Sequence, residues 1–255
     1  MRIIVKVGTS TLTHATGHLD IRRVGTLCEV LSDIKNAGHE LVLVSSGAIG
    51  MGVGKLNLRE RPADMPTKQA AAAVGQCELM YVYDKLFSEY SHTVAQILLT
   101  GEDLRDETRR RNFSNTLDRL LELGVLPILN ENDTIATDEI AVGDNDTLGA
   151  TVATCAEADL LIILTDTDGL YTADPRTHKE ATLLSEVSEI TPAMLEGAGG
   201  GGTALSTGGM ATKLAAARIC MDAGIDMMIA SGRNPAILYD VLGGKRVGTR
   251  FIGRK

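Results

Sequence analysis

Apolar and polar positions along the chain follow two rhythms. Short apolar runs at 3–7, 41–44, 93–99, 125–129, 159–165 and 225–230 are rich in Ile, Val and Leu and read as buried strands. A further run at 247–252 reads as a last strand. Between them, apolar residues recur at helical spacing. Ile21, Val24, Leu27, Leu31 and Ile34 follow Asp20, an N-cap candidate, and the pattern stops before Gly38. Leu117, Leu120 and Leu121 mark one face of a helix over 108–123, and 147–157 and 207–221 complete the set. The helix over 68–90 opens with alanines, a small face suited to packing on another helix or subunit. Strands that alternate with helices predict an α/β protein, a three-layer αβα sandwich around a largely parallel sheet. No composition break or internal repeat divides the chain, so a single domain over 1–255 is expected.

Several predicted strands run into turns of small residues. Lys6 interrupts the first apolar run just before Gly8, Thr9 and Ser10. An ammonium inside a buried strand is costly unless it reaches an anion, and a Gly-Thr-Ser turn offers N–H groups for a phosphate. The run 41–44 leads into a second such turn, 45–50, which contains Ser46 and Gly47. A third candidate is 207–213, where two glycines precede Lys213 in a predicted first helical turn. N–H groups, helix dipole and ammonium would there face the same way. Glycines 50, 52 and 54 lack the dinucleotide-binding spacing, and no P-loop pattern occurs. The segment 166–175 is rich in turn residues, and 197–202, nearly all glycine, reads as flexible.

The stretch 130–149 leaves the end of a predicted strand, where α/β proteins place ligands. It holds Asp133, Asp138, Glu139, Asp144 and Asp146, interleaved with Asn130, Asn132 and Asn145. Such a loop suits a cationic, metal-bearing or zwitterionic ligand, although by itself it slightly favours a solvated hairpin capped by Asp146. Lys6 and Lys213 beside phosphate-binding turns move the reading to a ligand site.

Composition narrows the partners. Aromatic residues make up 3% with no Trp, which argues against a base-stacking surface. A net charge of −8 argues against a nucleic-acid backbone as ligand. The basic run 109–111 is balanced by Asp103, Asp106 and Glu107 and reads as a solvated face. Cys28, Cys77, Cys155 and Cys220 are scattered without zinc spacing and read as buried thiols in a reducing compartment. None of the five histidines stands in a catalytic pattern. The chain opens too abruptly on a strand for a signal peptide, and a soluble, cytoplasmic protein without membrane contact is expected.

Taken together, VKVGTSTLT from Val5, VSSGAIGMG from Val44, NEND to GDND from Asn130, the segment ending GLYTADPR at Arg176 and TGGMATK from Thr207 resemble the amino acid kinase family. Within it they are similar to the enzymes that phosphorylate the side-chain carboxylate of L-glutamate, at the start of proline biosynthesis. The resemblance covers essentially the whole chain and implies the amino acid kinase fold. Many such enzymes continue into a C-terminal PUA domain, which is not expected here, and relatives usually have glycine where Ser206 stands.

The resemblance also implies roles. Lys6 and Lys213 would flank the transferring phosphoryl group, with Asp146 holding both ammonium groups. Gly8 and Gly47 would donate N–H groups to phosphoryl oxygens. Ser46, Asp133 and Asn145 would bind glutamate. Thr165, Asp166 and the run Thr207, Gly208, Gly209, Met210, Ala211, Thr212 and Lys213 would bind ATP, together with Lys6. Mg2+ would travel on the ATP phosphates, so no protein metal ligands are expected. A homodimer or tetramer and feedback inhibition by proline complete the implied picture. Kinases of acetylglutamate, aspartate, carbamate or UMP share the fold and the lysines but should lack the acidic loop. A non-catalytic binding protein would be expected to have lost Lys6, Lys213 or Asp146.

Overall fold

The computed structural model describes residues 1–14, 18–135, 145–175, 177–198 and 209–254. Strand β1 (Arg2–Val7) is followed by α1 (Thr9–Leu12), α2 (Ile21–Asn36) and β2 (Glu40–Val44). Next come α3 (Ala48–Lys55), α4 (Met65–Ser88), β3 (Val94–Leu99), α5 (Gly101–Arg105), α6 (Glu107–Glu122) and β4 (Leu126–Glu131). The remainder is α7 (Asn145–Cys155), β5 (Leu160–Thr165), β6 (Glu186–Val187), α8 (Pro192–Gly197), α9 (Met210–Asp222), β7 (Asp226–Ser231), α10 (Ile237–Leu242) and β8 (Thr249–Phe251).

Each expected strand forms, with ends shifted by no more than two residues. Helix α2 starts as its pattern predicts, with the Asp20 carboxylate accepting from the Arg23 N–H. Helix α4 begins three residues before the expected start because Asp64 accepts from the Thr67 N–H and Pro66 sits in the first turn. Helix α5 was not expected. It opens on a capping box, Thr100 with Asp103, a signal present in the sequence.

One eight-stranded sheet has the order β3-β4-β2-β1-β5-β7-β8-β6. It is parallel except where β8 runs antiparallel to β7. Strand β1 lies inside, paired with β2 on one side and β5 on the other. The chain thus winds outward in both directions from β1, the switch point at which open α/β sheets take ligands.

Side chains of the inner strands alternate between two cores. Ile4, Val44, Leu161, Ile163 and Ile229 pack with Phe113, Leu117 and Leu121 of α6, Val152 of α7 and Leu214 of α9. Ile3, Val5, Leu43, Ile162 and Ala230 pack on the other face with Leu27 and Leu31 of α2, Tyr83 and Phe87 of α4 and Leu238 of α10. This is the expected three-layer αβα arrangement. Lys6 falls on the Ile4 face, towards α7 and α9. Among the cysteines, Cys28 and Cys220 are buried as expected. Cys155 is half-buried and Cys77 is exposed, because Cys77 sits on the outward side of α4.

The small face of α4 packs on α3. A Cβ on Gly75 would stand 1.8 Å from the Ala48 carbonyl oxygen, and one on Gly52 1.8 Å from that of Ala71. The two backbones touch, which only glycine permits. Gly75→Ala is therefore expected to lower Tm, with an overpacking cost of about 1–3 kcal/mol or more. Gly25 in α2 has nothing within 4 Å of its would-be Cβ. Gly25→Ala is expected to raise Tm slightly, by about 0.5–1 kcal/mol of stability. Thermal melts of the two variants check the contrast.

Candidate active site

Because the inner strands are parallel, their carboxyl ends meet at one edge of the sheet. Lys6 lies in β1 and Gly8 just after it, Ser46 and Gly47 follow β2, Asn130 lies in β4 with Asp133 two residues beyond its end, and Thr165 ends β5 with Asp166 next. Helices α7 and α9 bring Asp146 and Lys213 to the same edge in their first turns.

The centre is a buried charge cluster. Lys6 Nζ lies 2.5 Å from Asp146 Oδ1, and Lys213 Nζ lies 3.0 Å from Oδ2. Thr212 Oγ1 donates to the same Oδ2 at 3.2 Å. Asp146 is 0% exposed, Lys6 7% and Lys213 4%. Burial by itself pushes the Asp146 carboxyl up. Attraction to Lys6 and Lys213, with their hydrogen bonds, outweighs it and holds the group well below the usual carboxylate range. Helix α7 closes over the Lys6 stem at Gly149, whose would-be Cβ lies 3.5 Å from Lys6 Cβ.

Two turns flank the cluster. A Cβ on Gly8 would stand 3.8 Å from Lys6 Nζ, so the β1 turn passes directly beside that ammonium. Gly47 adopts φ +96°, which favours glycine, and caps α3 without a side-chain hydrogen bond.

On the β2–β4 side the polar groups are amides. Asn145 Nδ2 lies within hydrogen-bond distance of the Ser45 carbonyl (2.9 Å), Ser46 Oγ (2.8 Å) and Asn130 Oδ1 (3.2 Å). Asn130 Nδ2 donates to Gln76 Oε1 at 2.9 Å, and Ser45 Oγ pairs with the Tyr83 hydroxyl at 2.9 Å. Asp133 lies half-buried beyond β4. Desolvation pushes its carboxyl up to about 6, against a weaker downward pull from Arg61.

On the β5–β7 side, Thr165 Oγ1 donates to Asp166 Oδ1 at 3.1 Å. Ser231, paired in register with Thr165, has a buried hydroxyl without a hydrogen-bond partner among the described residues. Met210, Ala211 and Thr212 open α9 behind Gly209.

The structure thus brings together Lys6, Gly8, Ser46, Gly47, Asn145, Asp146, Thr165, Asp166 and Lys213, with Asp133 at the β4 side. Thr207 and Gly208 lie outside the described residues, as do Ser206, Asp138, Glu139 and Asp144 and most of the glycine run. Sequence reading missed Gln76, Tyr83 and Ser231. For the first two a signal existed. Ala72, Gly75, Gln76, Leu79 and Tyr83 repeat at helical spacing on one buried face, and a polar residue on such a face needs a partner. A cavity of ≈ 270 Å3 lies at the C-terminal end of α9, lined by Glu189, Arg218, Met221 and Arg254, away from the charge cluster. Among the described residues no group of three or more potential metal ligands occurs, and no helix is long and apolar enough to cross a membrane.

Comparison with known proteins adds the following. The amino acid kinase family model matches residues 1–231. Glutamate 5-kinase of Clostridium perfringens is 55% identical over 258 residues, covering 100% of this chain and 96% of that protein. Glutamate 5-kinase of Caldanaerobacter subterraneus is 51% identical over 255 residues, covering 100% of this chain and 68% of its own length. Among solved structures, carbamate kinase from Giardia lamblia bound to AMP-PNP aligns with a TM-score of 0.73 at 18% identity, over 99% of this chain and 98% of that one. UMP kinase from Bacillus anthracis aligns with a TM-score of 0.65 at 14% identity, over 100% and 96%. These two likenesses concern the fold.

The raised Asp133 carboxyl has a consequence for stability. Unfolded, it titrates near ~3.9. Between that value and about 6 the folded form holds a proton that the unfolded form lacks. Stability therefore falls as pH rises through this window, and the full loss persists above it. Asp133→Asn is expected to raise Tm at pH 7.5 and to leave it nearly unchanged at pH 4, as read by melts at both values.

Proposed function

The chain belongs to the amino acid kinase family, and from that starting point we propose that it works as a glutamate 5-kinase. It transfers the terminal phosphoryl group of ATP to the side-chain carboxylate of L-glutamate, giving L-glutamyl 5-phosphate, the first step of proline biosynthesis. The observation that carries this reading is the position of the Lys6–Asp146–Lys213 cluster. It lies between an amide-lined and carboxylate-lined half at β2 and β4 and a second half at β5, β7 and the start of α9. The likeness to glutamate 5-kinases, which runs over the whole of this chain, supports the choice of substrate.

In this reading glutamate occupies the first half, held by Ser46, Asp133 and Asn145. ATP occupies the second, held by Lys6, Thr165, Asp166 and the run 207–213. The glutamate side chain, with a reference pKa of about 4.3, is ionised at neutral pH. It needs no general base, which agrees with a site without histidine. One carboxylate oxygen attacks the γ-phosphorus, the bond to the β–γ bridging oxygen breaks, and ADP leaves with that electron pair. Lys6 and Lys213 neutralise the repulsion between the two anions, and the Gly47 N–H, joined by the Gly8 N–H once it gives up its long 3.4 Å hydrogen bond to the Leu164 carbonyl, donates to the equatorial oxygens. Asp146 keeps both ammonium groups in place. Mg2+ bound to the triphosphate would supply further charge neutralisation. Carried by phosphate oxygens and water, it requires no cage of side chains. A dimer or tetramer and feedback by proline belong to the same proposal and rest on the resemblance alone, and a cytoplasmic location joins them on the scattered cysteines and the opening strand.

Trapping the product with hydroxylamine tests the reaction. With Mg-ATP and glutamate the protein is expected to yield glutamyl hydroxamate, and much less product with N-acetylglutamate, whose amine carries no charge for Asp133. Faster hydroxamate formation from N-acetylglutamate would overturn the assignment.

A further inference from the structure

The amide chain behind the glutamate half has a fixed direction. Its orientation follows from two backbone groups that cannot reverse their roles. The Glu131 N–H can only donate, and it points at Asn130 from 3.0 Å, so that atom is Oδ1. The amine of Asn130 then faces Gln76, which must present Oε1 at 2.9 Å. At the other end the Ser45 carbonyl can only accept, so the atom of Asn145 at 2.9 Å from it is Nδ2. The same amine meets Asn130 Oδ1. A flipped Asn145 would set its oxygen against two acceptors. What remains is Asn145 Oδ1, which is buried and has no hydrogen-bond partner among the described residues.

Gln76 is well held for such a task. It is 8% exposed on α4, next to Gly75, where the backbones of α3 and α4 touch. Tyr83 on the same face reaches Ser45. The α4 helix therefore braces both ends of the turn that carries Ser46 and Gly47. At neutral pH glutamate has two carboxylates and a single donor group, its α-ammonium. An unpaired acceptor on a residue that contacts the substrate can serve only that group.

We infer that Gln76 is a positioning residue for glutamate: together with the Glu131 N–H it holds Asn130, and Asn130 with the Ser45 carbonyl holds Asn145, so that the remaining carbonyl oxygen receives the substrate's α-ammonium. The inference rests on the glutamate 5-kinase reading and deepens it. Recognition of the amine then has two parts, the Asp133 charge and a directed acceptor whose orientation is set from the back of the site. Gln76 touches no substrate.

A double-mutant cycle separates this role from a general structural one. Gln76→Met keeps the length of the side chain and removes the acceptor. It is expected to raise the KM for glutamate about tenfold, the loss of roughly one buried hydrogen bond. The KM for ATP is expected to stay within about twofold. In an Asn145→Ala background the same substitution is expected to add less than about twofold, because Gln76 acts through Asn145. Gln76→Glu, which retains an acceptor oxygen for Asn130, is expected to recover most of the loss; if Gln76→Met fails to fold, Gln76→Ala, which also removes the acceptor, carries the same cycle. Equal effects in both backgrounds, a parallel rise in the KM for ATP, or a Gln76→Glu as impaired as Gln76→Met would overturn the inference while leaving the enzyme's function in place. A wild-type protein that yields no hydroxamate from glutamate would remove the function and this inference together.

Discussion

The bond of one carboxylate to two buried lysines is the constraint on which the rest of the structure depends. Asp146 is fully enclosed, and its two oxygens divide between Lys6 and Lys213. Buried charges of this kind add little net stability, yet removing one member strands the others at a cost of about 3–5 kcal/mol. The elements are placed accordingly. Strand β1 sits inside the sheet, and α7 and α9 start at the sheet edge where β1 ends. Ala150 and Ala153 of α7 and Ala216 and Ala217 of α9 lie in the same core and keep these helices close to the sheet and to each other. Gly149 leaves room for the Lys6 stem. The helices bring the Asp146 carboxylate and the Lys213 ammonium to the Lys6 ammonium of β1, and the switch point of the sheet gives the lysine pair a different neighbourhood on each side.

Those neighbourhoods differ in kind. Towards β2 and β4, neutral amides surround the site and Asp133 stands partly desolvated, its carboxyl raised by burial. A desolvated carboxyl that lowers folding stability and has no hydrogen bond to a described residue is chemically suited to pair with a cationic group. An α-ammonium would repay that cost on binding. Towards β5 and β7, hydroxyl groups dominate, at Thr165 and Ser231, with Asp166 beside them. The asymmetry fits an amino acid on one side and a nucleotide on the other, with the lysines between them.

Much of this was legible in the chain because burial makes certain residues conspicuous. A lysine inside a β-branched run before glycine, and a glycine pair before a lysine at a helix start, each imply an anion nearby. Residue types alone could not show that Lys6 and Lys213 share Asp146, since the partners are 140 and 67 positions apart. The resemblance to a family supplied that link, and the coordinates give its distances. Gln76 escaped notice because an alanine-rich helix reads as packing, although its neighbours place it on the buried face. Helices α8 and α10 and strand β6, with six, six and two residues, are too short to show a period. The antiparallel direction of β8 is set by where α10 returns the chain, which no local pattern encodes.

The central claim is that the lysines bound to Asp146 act on charge that develops as the phosphoryl group moves. Fluoroaluminate with Mg-ADP and glutamate mimics that state, and its affinity can be measured by competition or calorimetry for wild type and for Lys213→Ala. The account predicts a loss of roughly 10²–10³-fold for the fluoroaluminate complex, with Mg-ADP alone weakened far less. An equal loss for both would mean that Lys213 binds the nucleotide in its ground state, and it would contradict the account.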